Sequence, residues 1–248
     1  MRLFACILLF LVTQTAWGQQ ATIAVAANMK DAFSEINTAF RASGKPAMRV
    51  VYGSSGNLTS QIMNGAPFSL LIAADERFPL ELYKNSKAVD EGLVYAIGKL
   101  ALISKSSSGM NLSNNRAGIE KAIKAANKIA LAKPDLSPYG KAAIEYLKAE
   151  GLWELAKSKL IYGDNIGVAT MYVLTGAADI GFTAFSLAKS PELAKQSNHI
   201  LLNSQSYESI KQKMILLKGA PPEAIELYRF MQGEEAKAVL QKYGYVIP

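Results

Sequence analysis

The stretch from residue 50 to residue 75 constrains the fold more than any other part of the sequence. It reads VVYGSSGNLTSQIMNGAPFSLLIAAD, which predicts an apolar strand, a tight bend, a short helix and a second apolar strand. Free backbone N–H groups and the positive end of a helix dipole favour anions at such a bend. Ser54 and Ser55 would add hydroxyl donors, but Gly-Ser-Ser-Gly also suits an ordinary turn. The stretch by itself leaves both interpretations open.

Residues 1–18 have the pattern of a secretory signal peptide. A basic residue is followed by an apolar run too short to span a membrane as a mature helix, and small residues end the segment. Cys6, the only cysteine, lies inside the apolar run and is therefore a poor site for a lipid anchor. We predict cleavage near Gly18 and a periplasmic mature protein without disulfides.

Composition and charge narrow the classes of function. The chain is 50% hydrophobic and 19% charged, which is ordinary for a globular protein. Its formal net charge is +7, but the lysines are spread along the chain and aromatic residues are not interleaved with them. The pattern therefore predicts no nucleic-acid surface. It indicates a solvated surface with a mild preference for anionic ligands.

The first part of the chain predicts a βαβαβ unit, that is, a parallel sheet flanked by helices. Strands are expected at 22–27, 48–52 and 69–73, with helices from 29 and at 58–64. Ligands of such sheets bind beyond the carboxyl ends of the strands. Asn28, Ser54 and Ser55 all lie at that edge. For Asn28, the local sequence by itself favours the role of a helix N-cap.

Two further junctions between a strand and a helix follow, at 133–140 and at 163–167. Pro134 and Pro138 stiffen the first loop, which would fix the direction of the N–H groups of Tyr139 and Gly140. In the second junction, Asp164 could cap the following helix or accept a proton from a protonated anion.

Two long extended runs, at 95–104 and 211–217, could carry the chain from one domain into another and back. We therefore predict two lobes after the signal peptide. Lobe 1 comprises 19–98 plus 212–248, and lobe 2 comprises 99–211.

Several short motifs are distributed over nearly the whole chain after residue 18. They are Ala-Ala-Asn at 26–28, the Gly-Ser-Ser-Gly bend, Gln61 with Asn-Gly-Ala-Pro at 64–67, Ala-Ala-Asp at 73–75, YAIGKL at 95–100, PDLSPYG at 134–140, GAADIGF at 176–182 and KYGY at 242–245. Together they resemble the periplasmic molybdate-binding proteins of ABC importers. The resemblance implies a type II periplasmic binding protein fold: two α/β lobes, each a mostly parallel sheet flanked by helices, joined by two crossing strands and closing on a tetrahedral oxyanion.

The resemblance also implies a set of ligand-binding residues. They are Asn28, Ser55, Tyr139 and Ile166, the last two through backbone N–H groups, with Ala27, Ser54 and Gly140 lining the site. One branch of the family has serine at the position of Asn28 and a tyrosine hydroxyl at that of Ala184. This chain resembles the branch with asparagine and tyrosine at the positions of Asn28 and Tyr139. Neutral donors of this kind suit a dianion that carries no proton and therefore only accepts hydrogen bonds.

The partners implied are molybdate or tungstate, together with the membrane permease and ATPase of an ABC importer. The protein is expected to be a monomer, to bind no nucleic acid and to need no cofactor. Molybdenum would enter only as part of the oxyanion, without a direct protein ligand. No enzymatic activity is expected.

Other functions fit the sequence less well. A serine hydrolase is disfavoured because Asn57 breaks the G-x-S-x-G pattern, and the only histidine, His199, is expected at the surface without an orienting acid. Ser186 and Lys189 match S-x-x-K, but its companion motifs are missing. With one histidine and no mature cysteine, only hard oxygen ligands could hold a metal. A receptor for another anion such as sulfate is the nearer alternative, because ion size does not follow from donor type.

Overall fold

The computed structural model describes residues 20–248, so the predicted signal peptide lies outside the described residues. Ten strands are present there: β1 Thr22–Ala26, β2 Arg49–Gly53, β3 Leu70–Ile72, β4 Leu93–Gly98, β5 Leu100–Lys105, β6 Ile129–Ala132, β7 Leu160–Gly163, β8 Ile180–Ala184, β9 Ser197–Leu201 and β10 Ile210–Leu216. They form two five-stranded sheets. The first sheet has the order β2-β1-β3-β10-β4, and the second has the order β7-β6-β8-β5-β9.

Helices connect the strands. They are α1 Lys30–Ala42, α2 Ser55–Met63, α3 Arg77–Lys84, α4 Arg116–Ala125, α5 Pro138–Ala149, α6 Trp153–Ala156, α7 Ile166–Leu174, α8 Phe185–Ala188, α9 Pro191–Ala194, α10 Pro222–Phe230 and α11 Glu234–Lys242. The predicted α/β architecture is confirmed. β1 runs parallel to β2 and β3, and β6 runs parallel to β7 and β8. Each sheet also contains two antiparallel pairs. In the first sheet β10 is antiparallel to β3 and β4, and in the second β5 is antiparallel to β8 and β9.

The helices bury regular apolar faces against the sheets. In α1 the spacing of Phe33, Ile36 and Phe40 predicts one buried face, and all three side chains are fully enclosed. They join a core shared with α10 and α11, in which the rings of Phe40 and Phe230 meet edge to face at 5.3 Å. A separate cluster that includes Leu58 of α2 covers the other face of the first sheet.

The extended run predicted at 95–104 is two strands rather than one. β4 belongs to the first sheet, β5 belongs to the second, and Lys99 alone separates them. Its carbonyl oxygen accepts from the Phe185 N–H (2.8 Å), while the N–H of Leu100 donates to the Tyr207 hydroxyl (3.0 Å). These bonds fix the step between the sheets. The chain returns to the first sheet between β9 and β10. This order of strands agrees with the predicted lobe boundaries, which remain a prediction.

His199, which the sequence analysis predicts at the surface, is only partly exposed. It lies on β9, an edge strand that the sequence analysis did not recognise, and is paired opposite Ile103 of β5. The imidazole is half-buried, with its ring edge to face against Phe185 at 5.8 Å. Burial and the nearby Lys189 lower its pKa. β9 escaped prediction because its sequence, SNHIL, is mostly polar, as an edge strand with solvent on one side can be.

Close packing of α5 on β6 depends on Gly140. A Cβ atom at this position would lie 2.2 Å from the carbonyl oxygen of Ala132, the last residue of β6. Because that oxygen belongs to the backbone of a central strand, it cannot move away as a flexible side chain could. The glycine thus sets how near the first turn of α5 lies to the end of the sheet.

We expect Gly140→Ala to lower the free energy of unfolding by about 1–3 kcal/mol, the usual cost of overpacking. Urea unfolding of the full chain measures this difference. The control is Ala149→Ser at the exposed last residue of α5, which should change the free energy by less than about 0.5 kcal/mol. Equal stability of the two variants would contradict the close contact.

Candidate functional site

A small cavity of about 10 Å³ lies where four helical segments begin, at the carboxyl ends of parallel strands from both sheets. That volume accepts the centre of about one water molecule, so any larger ligand has to fit tightly. The residues around it are Ala26, Ala27, Asn28, Gly53, Ser54, Ser55, Ala74, Ser137, Pro138, Tyr139, Asn165 and Ile166. None of these side chains is charged.

Six of the seven residues predicted for the site border this cavity. They are Ala27, Asn28, Ser54, Ser55, Tyr139 and Ile166. Gly140 does not border it, because the glycine faces the carbonyl oxygen of Ala132 as described above. Ala184, at the end of β8, is fully buried and also lies outside the lining.

Backbone N–H groups without partners are the main feature of the lining. Ser55 and Ile166 are the first residues of α2 and α7, and Tyr139 is the second residue of α5. N–H groups in a first turn have no acceptor inside their own helix. Within residues 20–248, the N–H groups of Ser55, Tyr139 and Ile166 have no acceptor elsewhere either. Three polarised donors from three helices therefore meet at one cavity.

Capping side chains leave these donors available. The Ser54 hydroxyl accepts from the N–H of Asn57 (3.3 Å), and the Asn165 side chain accepts from the N–H of Val168 (3.0 Å). Each capping side chain thus accepts from an N–H group further along its helix, as N-caps do. The earlier N–H groups, at Ser55 and Ile166, remain for a ligand.

The hydroxyl of Ser55 is available as a donor. Its oxygen accepts a hydrogen bond from the backbone N–H of Ala74 (2.9 Å), and the residue is buried. A serine hydroxyl has one proton and can accept as well as donate. Because the Ala74 N–H supplies the accepted bond, the Ser55 proton is free to point toward the cavity.

The interpretation of Asn28 as a helix cap is wrong. A short 3-10 turn, Ala27–Met29, precedes α1, and neither helical start is capped by a side chain. The Asn28 amide is instead buried, with Nδ2 donating to Gln212 Oε1 (3.0 Å) and to Tyr245 Oη (2.8 Å). The 3-10 turn directs this side chain inward, where long-range partners hold it.

A buried polar cluster lies behind Asn28, and the sequence analysis missed it. Besides Gln212 it contains the hydroxyl groups of Tyr95, Tyr139, Tyr245 and Ser186. Burial raises the pKa of all three tyrosines well above the ordinary value, so their hydroxyls stay protonated near neutral pH. A signal existed in the sequence: Gln212 is a neutral polar residue in the strand IKQKMIL, and it is fully buried.

Charged residues near the loops are turned away from the cavity. Lys133 and Asp164 pair with each other at 2.6 Å, and both side chains are about half or more exposed. Asp164 is neither a helix cap nor part of the lining, because Asn165 caps α7. The S-x-x-K match is also accounted for: the Ser186 hydroxyl donates to the carbonyl oxygen of Asn28 (2.9 Å), and Lys189 lies over the ring of Phe185.

Two features are absent from the described part of the chain, residues 20–248. No group of three or more His, Cys, Asp or Glu residues there is arranged to hold a metal ion. No helix there is both long and apolar enough to cross a membrane.

Comparisons with known proteins agree on one family. Residues 21–246 match the family model described as bacterial extracellular solute-binding protein. The chain is 33% identical over 238 residues to the molybdate-binding protein ModA of Azotobacter vinelandii, covering 95% of this chain and 93% of that protein. It is 33% identical over 232 residues to ModA of Rhodobacter capsulatus, covering 90% of this chain and 86% of that one. The solved structure of the Azotobacter vinelandii periplasmic molybdate-binding protein superposes with a TM-score of 0.83 at 28% identity, covering 92% of this chain and all of that one.

A second, larger cavity of about 110 Å³ lies beside the site, between α3 and α5. Asp75 borders it with its side chain 21% exposed. Burial raises the pKa of this carboxyl to about 6, although a hydrogen bond from the Phe78 N–H and the charges of Arg77 and Lys141 act in the opposite direction. Between about pH 4 and 6 the folded protein therefore holds a proton that the unfolded chain has released. Stability must fall as the pH rises through this window.

We expect Asp75→Asn to be more stable than the wild type at pH 7.5, because the variant has no charge to bury. A shift of about two pKa units corresponds to at most about 3 kcal/mol, and partial exposure reduces this. The difference should vanish at pH 4, as urea unfolding at both pH values would show. The exposed Asp135→Asn serves as the control and should differ from the wild type by less than about 0.5 kcal/mol at either pH. A gain of the same size at pH 4 would refute the assignment.

Proposed function

Because the chain belongs to the bacterial extracellular solute-binding proteins, and among them to the molybdate-binding proteins, we propose that it captures molybdate in the periplasm for an ABC importer. One observation carries the proposal at the level of the site. Unpaired backbone N–H groups of three helices converge on a small cavity that no charged side chain borders.

Such a lining suits a fully ionised oxyanion. Each helix start places partial positive charge and oriented N–H groups at the cavity. A tetrahedral dianion presents acceptors in every direction, and hydrogen bonds to an ionised acceptor are stronger than those to a neutral one. We assign as donors the Ser55 N–H and hydroxyl, the N–H groups of Tyr139 and Ile166, and the Asn28 side chain. Ala27 and Ser54 complete the wall.

The donors come from both sheets, so a bound oxyanion bridges the two halves of the molecule. Asn28 and Ser55 follow β1 and β2 of the first sheet, whereas Tyr139 and Ile166 follow β6 and β7 of the second. The halves also meet directly, since the N–H of Gly56 donates to the carbonyl oxygen of Leu136 (3.0 Å). We propose that the two lobes close on the ligand about the step at Lys99 and the return step before β10, as in hinge closure.

The same proposal includes the ligand range, the oligomeric state and the processing of the protein. The protein binds and releases its ligand without chemical change, takes tungstate as well as molybdate, acts as a monomer and loses residues 1–18 on export. Against a hydrolase stands the setting of Ser55, whose oxygen accepts from a backbone N–H, as well as the position of His199 on β9, where it packs on Phe185.

Calorimetric titration of the full mature chain tests this function. Molybdate and tungstate should bind, and molybdate affinity should be nearly constant between pH 6 and 8, because no group in the lining titrates there. Phosphate keeps a proton in this range, and no carboxylate borders the cavity to accept it. A misplaced buried polar group costs about 1–3 kcal/mol, so phosphate should bind about 5- to 150-fold more weakly.

Other outcomes of the titration would contradict the proposal. Tight sulfate binding without molybdate binding would reassign the receptor to another anion. Phosphate that competes on equal terms would mean that an acidic group such as Asp164 turns into the cavity.

Replacing Ser55 by alanine tests the assigned donor set. The Ser55→Ala variant should bind molybdate about 10- to 150-fold more weakly, because a hydrogen bond to a charged ligand contributes about 1.5–3 kcal/mol. The matched control is Ser60→Ala, the same change at an exposed position of α2, for which affinity should stay the same. Circular dichroism checks that both variants are folded. If the two variants bound equally well, the Ser55 hydroxyl would have no contact with the ligand.

A further inference from the structure

Gln212 occupies an unusual position in the first sheet. It is fully buried on β10, and the pairing of β10 with β4 shifts register directly after it. Gln212 lies opposite Ala96, whereas Lys213 lies opposite Val94, so Tyr95 is an extra residue without a partner in the ladder. Bulges of this kind redirect side chains and often occur next to binding sites. Here the bulge brings the Tyr95 hydroxyl and the Gln212 carboxamide together.

The Gln212 carboxamide joins three residues from separate parts of the molecule. Its Oε1 accepts from Tyr95 Oη (2.8 Å) and from Asn28 Nδ2 (3.0 Å). Its Nε2 donates to the hydroxyl of Tyr139 on α5 (2.9 Å). Gln212 makes no contribution to the cavity wall. It therefore contacts two of the residues assigned to the ligand, Asn28 and Tyr139, from behind.

The Asn28 amide has no hydrogen left for a ligand in this arrangement. A carboxamide nitrogen carries two hydrogens. One is donated to Gln212, and the other is donated to Tyr245. Oδ1 of Asn28 accepts no hydrogen bond from residues 20–248, yet it is not among the fully enclosed unpaired atoms. It consequently borders the cavity that Asn28 lines, and an oxygen atom there would repel an anion.

The same heavy-atom positions permit a second arrangement of protons. If the Asn28 amide makes a half-turn, Oδ1 accepts from Gln212 Nε2 and from the Tyr245 hydroxyl, and Nδ2 faces the cavity. The Tyr245 proton then leaves Ser186 Oγ (2.9 Å) and the carbonyl oxygen of Asn28 (3.1 Å), to which the Ser186 hydroxyl continues to donate. Gln212 must then turn as well, so that its Oε1 accepts from the Tyr139 hydroxyl. Tyr95 can accept from Nε2 while donating to the carbonyl oxygen of Ala73, 3.1 Å away. Tyrosine hydroxyls both donate and accept, so the cluster suits either arrangement.

We propose that Gln212 is a positioning residue, and that Asn28 and Gln212 turn together as a pair that an oxyanion locks with the Asn28 N–H₂ toward the cavity. The inference rests on the proposed function, since it assumes that an oxyanion occupies the cavity. Only the turned arrangement offers Asn28 donors, and it is reached only if Gln212 presents its nitrogen to Asn28. An anion shifts the population because it binds the two arrangements with different affinity. Gln212 thus acts on the ligand through Asn28, without touching it.

The first experiment records side-chain amide signals of the ¹⁵N-labelled full chain during titration with molybdate. The N–H₂ signals of Asn28 and Gln212 should shift together, although Gln212 does not reach the cavity. A shift of the Asn28 signals with an unchanged Gln212 pair would overturn the coupled turn. Failure of the proposed function is recognised separately, because the backbone N–H signals of Ser55, Tyr139 and Ile166 would then also remain unchanged.

The second experiment is a double-mutant cycle on molybdate affinity. Gln212→Met keeps an unbranched side chain of similar length without polar groups, and it should weaken binding about 10-fold or more. In the Asn28→Ala background the same change should have no further effect, because Gln212 acts through Asn28. If the two substitutions weakened molybdate binding independently, so that their fold-losses multiplied, Gln212 would have a general structural role. That result would overturn the proposal.

A control and a check on folding complete the cycle. Ser104→Ala removes another fully buried polar group, on β5 of the second sheet, and should leave molybdate affinity unchanged. Thermal unfolding identifies any variant that fails to fold. In that case the amide spectra of the wild type alone decide the question.

Discussion

Unpaired N–H groups in the first turns of helices are the constraint on which the rest of the structure depends. A helix cannot satisfy these donors by itself, and leaving them buried without a partner is costly. Parallel strands place the starts of α2, α5 and α7 at the same edge of their sheets, and the two sheets bring these edges together. Caps at Ser54 and Asn165 satisfy N–H groups further along each helix, so the N–H groups of Ser55 and Ile166 are left for the anion that we propose.

The proposed anion site contains no charged side chain. A buried lysine or arginine would itself need desolvation and a partner, whereas backbone dipoles are already oriented by the helices. Behind the cavity, Tyr95, Tyr139 and Tyr245 remain protonated because burial disfavours their ionised forms. The cluster they form with Gln212 and Asn28 is neutral, so it can rearrange its protons without separating charge. Charged pairs such as Lys133 with Asp164 stay at the surface, where salt and water screen them.

The fold was predictable where a pattern was local. The predicted strands at 22–27, 48–52 and 69–73 lie within one residue of β1, β2 and β3, because apolar periodicity and polar caps repeat over short distances. Predictions from the sequence were wrong where contacts between residues distant in the chain determine the local structure. The run at 95–104 reads as one extended segment, yet it divides at Lys99 because Phe185 and Tyr207 bond the backbone on either side. Asn28 has the sequence context of a cap, but a 3-10 turn directs it to Gln212 and Tyr245.

The sequence by itself determined which residue types stand at each strand-to-helix junction, and with them the donor chemistry and the family. Those features depend on neighbours a few positions away, so they leave a readable local signature. Only the tertiary structure decided which side chains support the donors. Gln212 and Tyr245 lie 184 and 217 residues from Asn28 along the chain, and Tyr139 lies 73 residues from Gln212. Hydrogen bonds between such distant residues leave no periodic pattern, because they form only after two sheets and a bulge have brought the groups within about 3 Å.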